Sequence, residues 1–310
     1  MTGETSPLKR YSILTQYLLM ALVWGGSFLF MKIALEGVSV GQVLWAREIL
    51  GALTLGILVL IGRHALPREP VVWLHFLVIG LLNGVIPHGL FVWSQLHISS
   101  GLAGIYNSAT PIATALLAVA VFRVERLNAN QFFGVALGVV GVIVIIAPWQ
   151  IADFGGSFWG QVACIVAACC YGFAIGYMRK FISHRPIPGM TVAFMNIGMS
   201  GATMLLLTPF VALGPVNLTW EVVGSLLLLG ALGTGIAYYW NINVLRAWGP
   251  TAVSTVTYVI PVVAVALGVI VLGETLHWYE PVGAAIVLVG ILFTQQRLRF
   301  GSRTTSVLGQ

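Results

Sequence analysis

The sequence predicts an all-α integral membrane protein, with ten transmembrane helices arranged as two inverted five-helix repeats. Three observations support this fold class: a low charge content, ten long apolar stretches, and a similarity between the two halves of the chain. Only 8% of the 310 residues are charged, 58% are hydrophobic, and the mean hydropathy is +0.96. Soluble domains carry about 25% charged residues. The composition therefore excludes a cytosolic enzyme, a nucleic-acid-binding protein and a disordered regulator.

Ten apolar stretches are long enough to cross a bilayer, whose hydrocarbon core of about 30 Å requires roughly 20 residues per helix. We predict spans at residues 12–35, 40–62, 72–96, 101–122, 129–148, 158–181, 189–212, 221–245, 251–272 and 281–298. The first stretch follows Lys9 and Arg10, as in a signal peptide, but it continues to Met31. We therefore interpret it as an uncleaved first span.

Basic residues predict the orientation, because cytoplasmic loops are enriched in Lys and Arg. With the N-terminus inside, thirteen of the 15 basic residues fall on the cytoplasmic side. They are Lys9, Arg10, Arg63, Arg68, Arg123, Arg126, Arg179, Lys180, Arg185, Arg246, Arg297, Arg299 and Arg303. Only Lys32 falls outside, and Arg47 lies within a span. We expect a multi-pass protein of the plasma (inner) membrane with both termini in the cytoplasm.

The two halves of the chain are similar at an offset of about 150 residues. Gly80 matches Gly230 and Pro111 matches Pro261, while Met31-Lys32 matches Met178-Arg179. Each half holds five spans, and because five is odd the halves cross the bilayer in opposite directions. We place the first repeat at residues 1–148, the second at 158–298, and a cytoplasmic tail at 299–310. Inverted repeats are typical of alternating-access secondary transporters.

Several short motifs recur in order along the chain. They are Trp24-Gly25 with Lys32, Trp45-Ala46-Arg47, Ser100-Gly101-Leu102-Ala103, Pro111, Glu125-Arg126-Leu127, Gly249-Pro250-Thr251-Ala252, Pro261 and Gly273-Glu274-Thr275-Leu276. In order and spacing the sequence resembles the drug/metabolite transporter superfamily, specifically its EamA-type exporters. The resemblance covers essentially the whole chain. It implies a cavity lined by the first four helices of each repeat, with the fifth and tenth helices peripheral and often in dimer contacts. It also implies export of amino acids, drugs or other small metabolites.

Polar and aromatic residues inside the spans are the candidates for substrate binding, since a polar group in hydrocarbon is costly unless it faces protein or a water-filled cavity. The candidates are Trp24, Arg47, Glu48, Asn83, His88, Tyr106, Asn107, Tyr171, Tyr238, Asn241, Thr257 and Tyr258. The repeat offset pairs His88 with Tyr238 and Asn107 with Thr257, at equivalent depth in the two halves. Hydrogen bonding between helices is the competing interpretation for single Thr and Asn residues. We expect helices to bend at Pro87, Pro111 and Pro261.

Arg47 and Glu48 are adjacent charges inside one span, and adjacent helical residues point about 100° apart. We hypothesise that one of them senses a charged group of the substrate. The alternatives are a structural ion pair and a position nearer the outer interface.

These features predict an exporter of amino acids or amphipathic aromatic compounds, working as a secondary active or a facilitative carrier. Proton coupling through His88 or Glu48 and proton-independent facilitation both fit the sequence. The alternatives are a membrane-embedded enzyme, a scaffold or channel, and a carrier of another substrate class such as drug cations or phosphorylated metabolites. The spans contain no convergent nucleophile, metal cluster or carboxylate dyad. We therefore expect no catalytic residue, metal or cofactor, no nucleic-acid partner, and a monomer or homodimer in the lipid bilayer.

Overall fold

A computed structural model describes residues 7–123, 127–150 and 156–298, and every regular element in these ranges is helical. The helices are α1 (Pro7–Ala34), α2 (Val40–Ile61), α3 (Pro70–Gly80), α4 (Ile86–Ser94), α5 (Ser100–Asn107), α6 (Thr110–Ala120), α7 (Ala129–Ile146), α8 (Gly156–Phe181), α9 (Gly189–Val211), α10 (Trp220–Leu227), α11 (Ala237–Leu272) and α12 (Tyr279–Thr294). Glu125, Arg126, Asp153 and the predicted tail lie outside the described residues.

The helices confirm the predicted membrane fold. In the described ranges, nine helical stretches are long and apolar enough to cross a membrane, and a further apolar helix, α12, has 16 residues. The third span combines α3 and α4, the fourth combines α5 and α6, and the eighth runs from Trp220 to Gly249. The predicted tenth span ends too late, because α12 stops at Thr294 and Gln296 adopts a positive φ of 57°.

Two spans contain π-helical segments at repeat-equivalent positions. Leu81–Val85 joins α3 to α4, and Leu228–Ile236 joins α10 to α11. The prediction of a bend at Pro87 anticipates the first segment, since Pro87 lies in the turn that follows it. The second segment has no proline behind it and was not anticipated. Single π turns within α-helices are frequent at functional sites.

The eighth and ninth spans are divided by a kink at Gly249, which lies within the predicted connection at residues 246–250. Helix α11 runs from the second part of the eighth span through the ninth, and the only non-helical dihedrals inside it are at Gly249, with φ 80° and ψ 174°. A residue with a side chain is strongly disfavoured at that φ, so this position requires glycine. The change in chain direction between the two spans occurs at this single residue. Helical dihedrals continue through Pro261, so the break in this part of the chain lies at Gly249 and not at the proline.

Polar side chains fix where several helices begin. Ser39 and Gln42 form a capping box before α2, and Asn128 and Gln131 form another before α7. Each box satisfies two backbone N–H groups that the first helical turn leaves without partners. The two boxes therefore fix the residues at which α2 and α7 begin.

The two repeats interleave instead of folding side by side. Helix α1 packs along α11, α2 along α9, and α8 along α4 and α6. Helices α7 and α12, the last of each repeat, pack against each other. A Cβ placed at Gly290 would approach the carbonyl oxygen of Gly134 to 2.7 Å, so the two backbones touch through glycine.

Two repeat-equivalent basic residues, Lys32 and Arg179, mark the two ends of the bundle. At one end the Lys32 ammonium donates to the carbonyl oxygens of Gln95 and Ile98, where α4 ends. Arg179 is the repeat equivalent of Lys32, and it lies at the opposite end beside Gln131 and Gln295. We call these the Lys32 end and the Arg179 end. The opposite placement of equivalent residues agrees with the inversion of the repeats.

Candidate functional site

Side chains from both repeats enclose a chamber between the two ends, of about 170 Å³. Helices α1, α2, α4, α5, α8 and α11 contribute to its wall, together with the second π-helical segment. It is lined by Trp24, Ser27, Phe28, Met31, Arg47, His88, Phe91, Asn107, Tyr171, Gly233, Tyr238 and Ile260.

Five of the twelve lining residues are Phe, Tyr or Trp, and several of their rings meet in edge-on contacts. Trp24 meets Tyr238 with ring centroids 5.8 Å apart, and Phe28 meets Phe91 at 5.5 Å. The Trp24 indole N–H donates to the carbonyl oxygen of Gly233 at 3.0 Å, within the second π-helical segment. The rings are therefore positioned from both repeats and offer flat apolar surface to a molecule in the chamber.

Arg47 is the one positively charged side chain in the chamber lining, and it is only 9% exposed. Its Nε donates to Thr234 Oγ1 at 3.1 Å, and one terminal nitrogen lies 3.8 Å from Met31 Sδ. Among the residues that the structure describes, no carboxylate lies within 4.0 Å of its guanidinium. A buried cation without an anionic partner is costly. Its planar guanidinium can donate two parallel hydrogen bonds to a carboxylate, and its positive charge is complementary to the negative charge of that group.

Glu48 points away from Arg47 toward the third span. Its carboxylate is fully buried, and Oε1 shares a hydrogen bond with His88 Nδ1. The other oxygen, Oε2, has no hydrogen-bond partner and lies over Gly84, near Ser200. His88 in turn lines the chamber and meets the Tyr171 ring at 6.1 Å. The histidine thus connects a buried acid to the chamber.

A wider vestibule of about 710 Å³ adjoins the chamber and opens at the Arg179 end. Asn107, Tyr171 and Ile260 line both spaces, so they form the neck between them. The rest of the vestibule wall is largely hydroxyl, amide and guanidinium groups. It includes Thr110, Thr114, Gln131, Arg179, Ser254, Thr257, Thr294, Gln295 and Gln296.

The structure brings most of the predicted site residues together. Chamber or vestibule is lined by Trp24, Arg47, His88, Asn107, Tyr171, Tyr238 and Thr257. Glu48 and Asn83 lie directly behind this wall, where Asn83 interacts with the Tyr238 hydroxyl. Of the predicted hinges, Pro111 lines the vestibule, while Pro87 is buried in α4 and Pro261 in α11.

Three predicted site residues lie outside the linings of these two spaces. The Tyr106 hydroxyl is buried and donates to Gln161 Oε1 at 2.6 Å, and the Tyr258 hydroxyl donates to Gln295 Oε1 at 2.6 Å. Asn241 lies half-buried on α11. Tyr106 and Tyr258 thus join segments of the bundle by hydrogen bonds, an interpretation that we considered for Thr and Asn only.

Several lining residues were not predicted, among them Ser27, Phe28 and Met31 on α1. With Trp24 they follow the i, i+3, i+4 and i+7 spacing of one helical face. That spacing was available in the sequence, but in a span with apolar residues on every side it does not mark which face meets the chamber.

Comparison with known proteins agrees with this architecture. The model of the EamA-like transporter family matches residues 12–147 and, a second time, residues 158–295. A solved crystal structure that is 18% identical superposes with a TM-score of 0.62 over 93% of this chain and 97% of its own. At this identity the superposition supports the fold alone.

Two curated relatives carry names that mention amino acids. A "Probable terminal-alkyne amino-acid exporter" of Streptantibioticus cattleyicolor is 24% identical over 294 residues, covering 94% of this chain and 96% of its own. A "Probable amino-acid metabolite efflux pump" of Salmonella typhimurium is 25% identical over 285 residues, covering 88% and 91%.

Proposed function

This chain belongs to the EamA-like transporter family, and from that premise we propose that it exports small amphipathic carboxylates, amino acids above all, by alternating access. The cargo enters the vestibule, passes the neck of Asn107, Tyr171 and Ile260, and binds in the chamber. The bundle then opens at the Lys32 end and releases it.

The observation that carries the proposal is the guanidinium of Arg47 in an aromatic chamber. The nearest carboxylate in sequence, that of Glu48, is bonded to His88. An incoming carboxylate supplies the missing partner through charge-assisted hydrogen bonds. The rings of Trp24, Phe91, Tyr171 and Tyr238 cover the apolar part of the cargo. The names of the two curated relatives favour amino acids within this class.

The distribution of basic residues supports an orientation in which the vestibule faces the cytoplasm. Arg63, Arg68, Arg179, Lys180 and Arg185 all lie toward the Arg179 end, which the positive-inside rule assigns to the cytoplasm. The vestibule therefore faces the cytoplasm, and the described state is the one that loads cargo for export. We propose the plasma (inner) membrane as its location.

We assign coupling to the proton on the Glu48–His88 pair. A carboxylate oxygen that is buried without a partner is costly, and a proton on Glu48 would reduce that cost. His88 lies between Glu48 and the chamber, so its imidazole can pass a proton between the buried acid and the cargo site. One proton entering as one cargo molecule leaves would make the carrier secondary active.

Substrate counterflow in proteoliposomes tests the proposed function. Vesicles containing the protein and excess unlabelled phenylalanine or leucine should transiently accumulate the labelled amino acid. Replacement of Arg47 by Gln should weaken apparent affinity by about tenfold to a hundredfold, since hydrogen bonds to charged groups contribute about 1.5–3 kcal/mol. Arg47→Lys should weaken it less.

Arg185→Gln is the matched control. Arg185 pairs with the exposed Glu69 at 2.7 Å, far from the chamber, so counterflow should be unchanged. Size-exclusion chromatography verifies that each variant folds. The proposed substrate class is wrong if the wild type exchanges a cationic drug and no carboxylate, or if Arg47→Gln exchanges amino acids with unchanged affinity. An enzyme without carrier activity would show no counterflow of any substrate.

A further inference from the structure

The turn between α4 and α5 is held by two opposite charges that belong to different repeats. Where the turn leaves α4, the Lys32 ammonium of α1 donates to the carbonyl oxygens of Gln95 and Ile98. Where the turn enters α5, the Glu274 carboxylate accepts hydrogen bonds from the backbone of Ser100 and Gly101. Neither Lys32 nor Glu274 lines the chamber or the vestibule.

Glu274 completes the cap on α5, in which Ser99 Oγ accepts from the Leu102 N–H. Glu274 Oε1 accepts from the Ser100 N–H at 2.6 Å, and its Oε2 accepts from the Ser100 hydroxyl and the Gly101 N–H, each at 3.0 Å. Ser100 is fully buried, so these donors have no access to solvent. A carboxylate at a helix N-terminus also gains from the helix dipole.

The backbone before Glu274 is shaped to deliver its side chain. Gly273 ends α11 in the left-handed region, with φ 64°. The Glu274 N–H then bonds back to the carbonyl oxygen of Gly268 at 3.1 Å. The cap therefore depends on α11 and α5 lying side by side, as they do where Gly101 faces Val265.

At the Arg179 end the same two spans lie apart. There α6 contributes Thr110 and Thr114 to one side of the vestibule, and α11 contributes Ser254 and Thr257 to the other. The fourth and ninth spans thus meet at the Lys32 end and diverge at the Arg179 end. A carrier that alternates must separate α5 from α11 before the chamber can open at the Lys32 end.

We infer that Glu274 is the latch that keeps the Lys32 end closed, with Lys32 holding the turn on which the latch closes. Opening this end breaks the three hydrogen bonds from Ser100 and Gly101 to Glu274 together. Glu274 is therefore a gating residue that sets the balance between the two open states without touching cargo. The inference rests on the alternating access proposed above.

Distance measurement between spin labels tests the latch without any cargo. Labels are attached to Leu96→Cys, in the held turn, and to Trp278→Cys, beside α12, both of which are exposed positions. Cys164, Cys169 and Cys170 are replaced by Ala. Double electron–electron resonance should give one main distance in the parent protein. Glu274→Ala should raise the longer-distance population relative to the shorter one by about tenfold or more.

Glu274→Gln retains an acceptor oxygen and should shift the distance distribution by less than Glu274→Ala. Ser100→Ala removes one of the three hydrogen bonds and should give a still smaller shift. Glu221→Gln is the control, because it neutralises an exposed acid at the start of α10 whose hydrogen bonds, from Thr219 and from its own N–H, are local and do not join two repeats. An unchanged distance distribution in a folded Glu274→Ala protein overturns the latch. If that variant does not fold, an unchanged distribution in both Glu274→Gln and Ser100→Ala overturns it equally.

Counterflow separates this inference from the proposed function. A distance shift in Glu274→Ala supports the latch even if the wild type exchanges no amino acid, an outcome that counts against the substrate class alone. Normal exchange by the wild type with no distance shift in the variants leaves the proposed function standing and rejects the latch.

Discussion

Arg47 and Glu48 are neighbours in the chain, yet they belong to different interactions. Arg47 reaches Thr234 in the second repeat, while Glu48 reaches His88 within the first. Their angular separation on α2 made this division foreseeable, and it turns one polar dipeptide into two functional groups. In the proposed mechanism Arg47 binds the cargo and Glu48 binds the proton.

Proton coupling predicts a specific loss in Glu48→Gln. In vesicles loaded with amino acid, an acidic exterior should accelerate wild-type efflux several-fold, because protons entering through Glu48 drive cargo out. The amide has no exchangeable charge, so Glu48→Gln should retain counterflow and lose the acceleration. Measurement of efflux with and without an imposed pH gradient checks this result.

Glu69→Gln is the control for this experiment, since Glu69 is an exposed acid paired with Arg185. It should keep the full response to the gradient. Wild-type efflux that does not respond to the gradient would identify a facilitative carrier and reject the coupling role of Glu48. The charged and titratable neighbours of the pair, Arg47, Tyr171 and Tyr238, remain in place in both variants.

At this scale the sequence could identify candidate residues but could not assign each of them to a cavity. Arg47, His88 and Tyr171 line the chamber, whereas Tyr106 and Tyr258 bond to Gln161 and Gln295. A polar residue on an apolar helix indicates protein contact or a cavity. Only the rotation of the packed helix decides between these outcomes, and that rotation depends on residues far away in the chain.

Among the elements, α7 and α12 show how glycine determines helix contact. The carbonyl oxygen of Gly134 lies beside Gly290, and a Cβ at Gly141 would lie 2.9 Å from the Gly283 carbonyl oxygen. At an offset of about 150 residues Gly134 matches Gly283 and Gly141 matches Gly290, so each repeat contributes an equivalent pair. The sequence similarity was thus visible, but the packing of each pair against the other became visible only in the fold.

Gly290→Ala should destabilise the protein by about 1–3 kcal/mol, because its Cβ would meet backbone atoms of Gly134 and Gly138 at 2.7 Å. Thermal unfolding in detergent, followed by tryptophan fluorescence, measures the effect. Gly224→Ala is the matched control, since a Cβ there has no neighbour within 4 Å. Equal melting temperatures for the two variants would contradict close packing between α7 and α12.

Breaks within helices were harder to predict than the helices themselves. Pro87 is a visible signal for the π-helical segment before it, but Leu228–Ile236 has the same form with Ala237 after it. The second π-helical segment could have been predicted only from its equivalence to the first segment in the repeat. At Gly249 the sequence offers a glycine before a proline, which suggests a loop, and the structure uses a single residue as the turn.

For the whole molecule, composition and loop charges predict a definite topology with both termini inside. Alkaline phosphatase fused after Gln310 should be inactive, because it folds only outside the cytoplasm, while green fluorescent protein fused there should fluoresce. A membrane-impermeant thiol reagent should label Glu36→Cys in intact cells and should not label His64→Cys. Strong phosphatase activity at the C-terminus would reverse the assigned direction of transport.

Most of the overall architecture could be predicted, because the bilayer restricts what a 310-residue apolar chain can do. The spans follow from hydropathy and the repeats from an internal match, while the family was suggested by the resemblance of short motifs. The open state could not be predicted. A sequence is equally compatible with opening at either end, and the difference depends on a few hydrogen bonds, such as those that Ser100 and Gly101 donate to Glu274.

The contact between α7 and α12 also bears on how the chain is made. The surface of α7 that contains Gly134 and Gly141 fits α12, which is synthesised about 150 residues later. At typical translation rates that interval is on the order of ten seconds. During this interval the face of α7 that later packs against α12 contacts lipid or another protein. The last helix therefore completes the first repeat as well as its own, and a ribosome that stops before Tyr279 leaves both repeats unfinished.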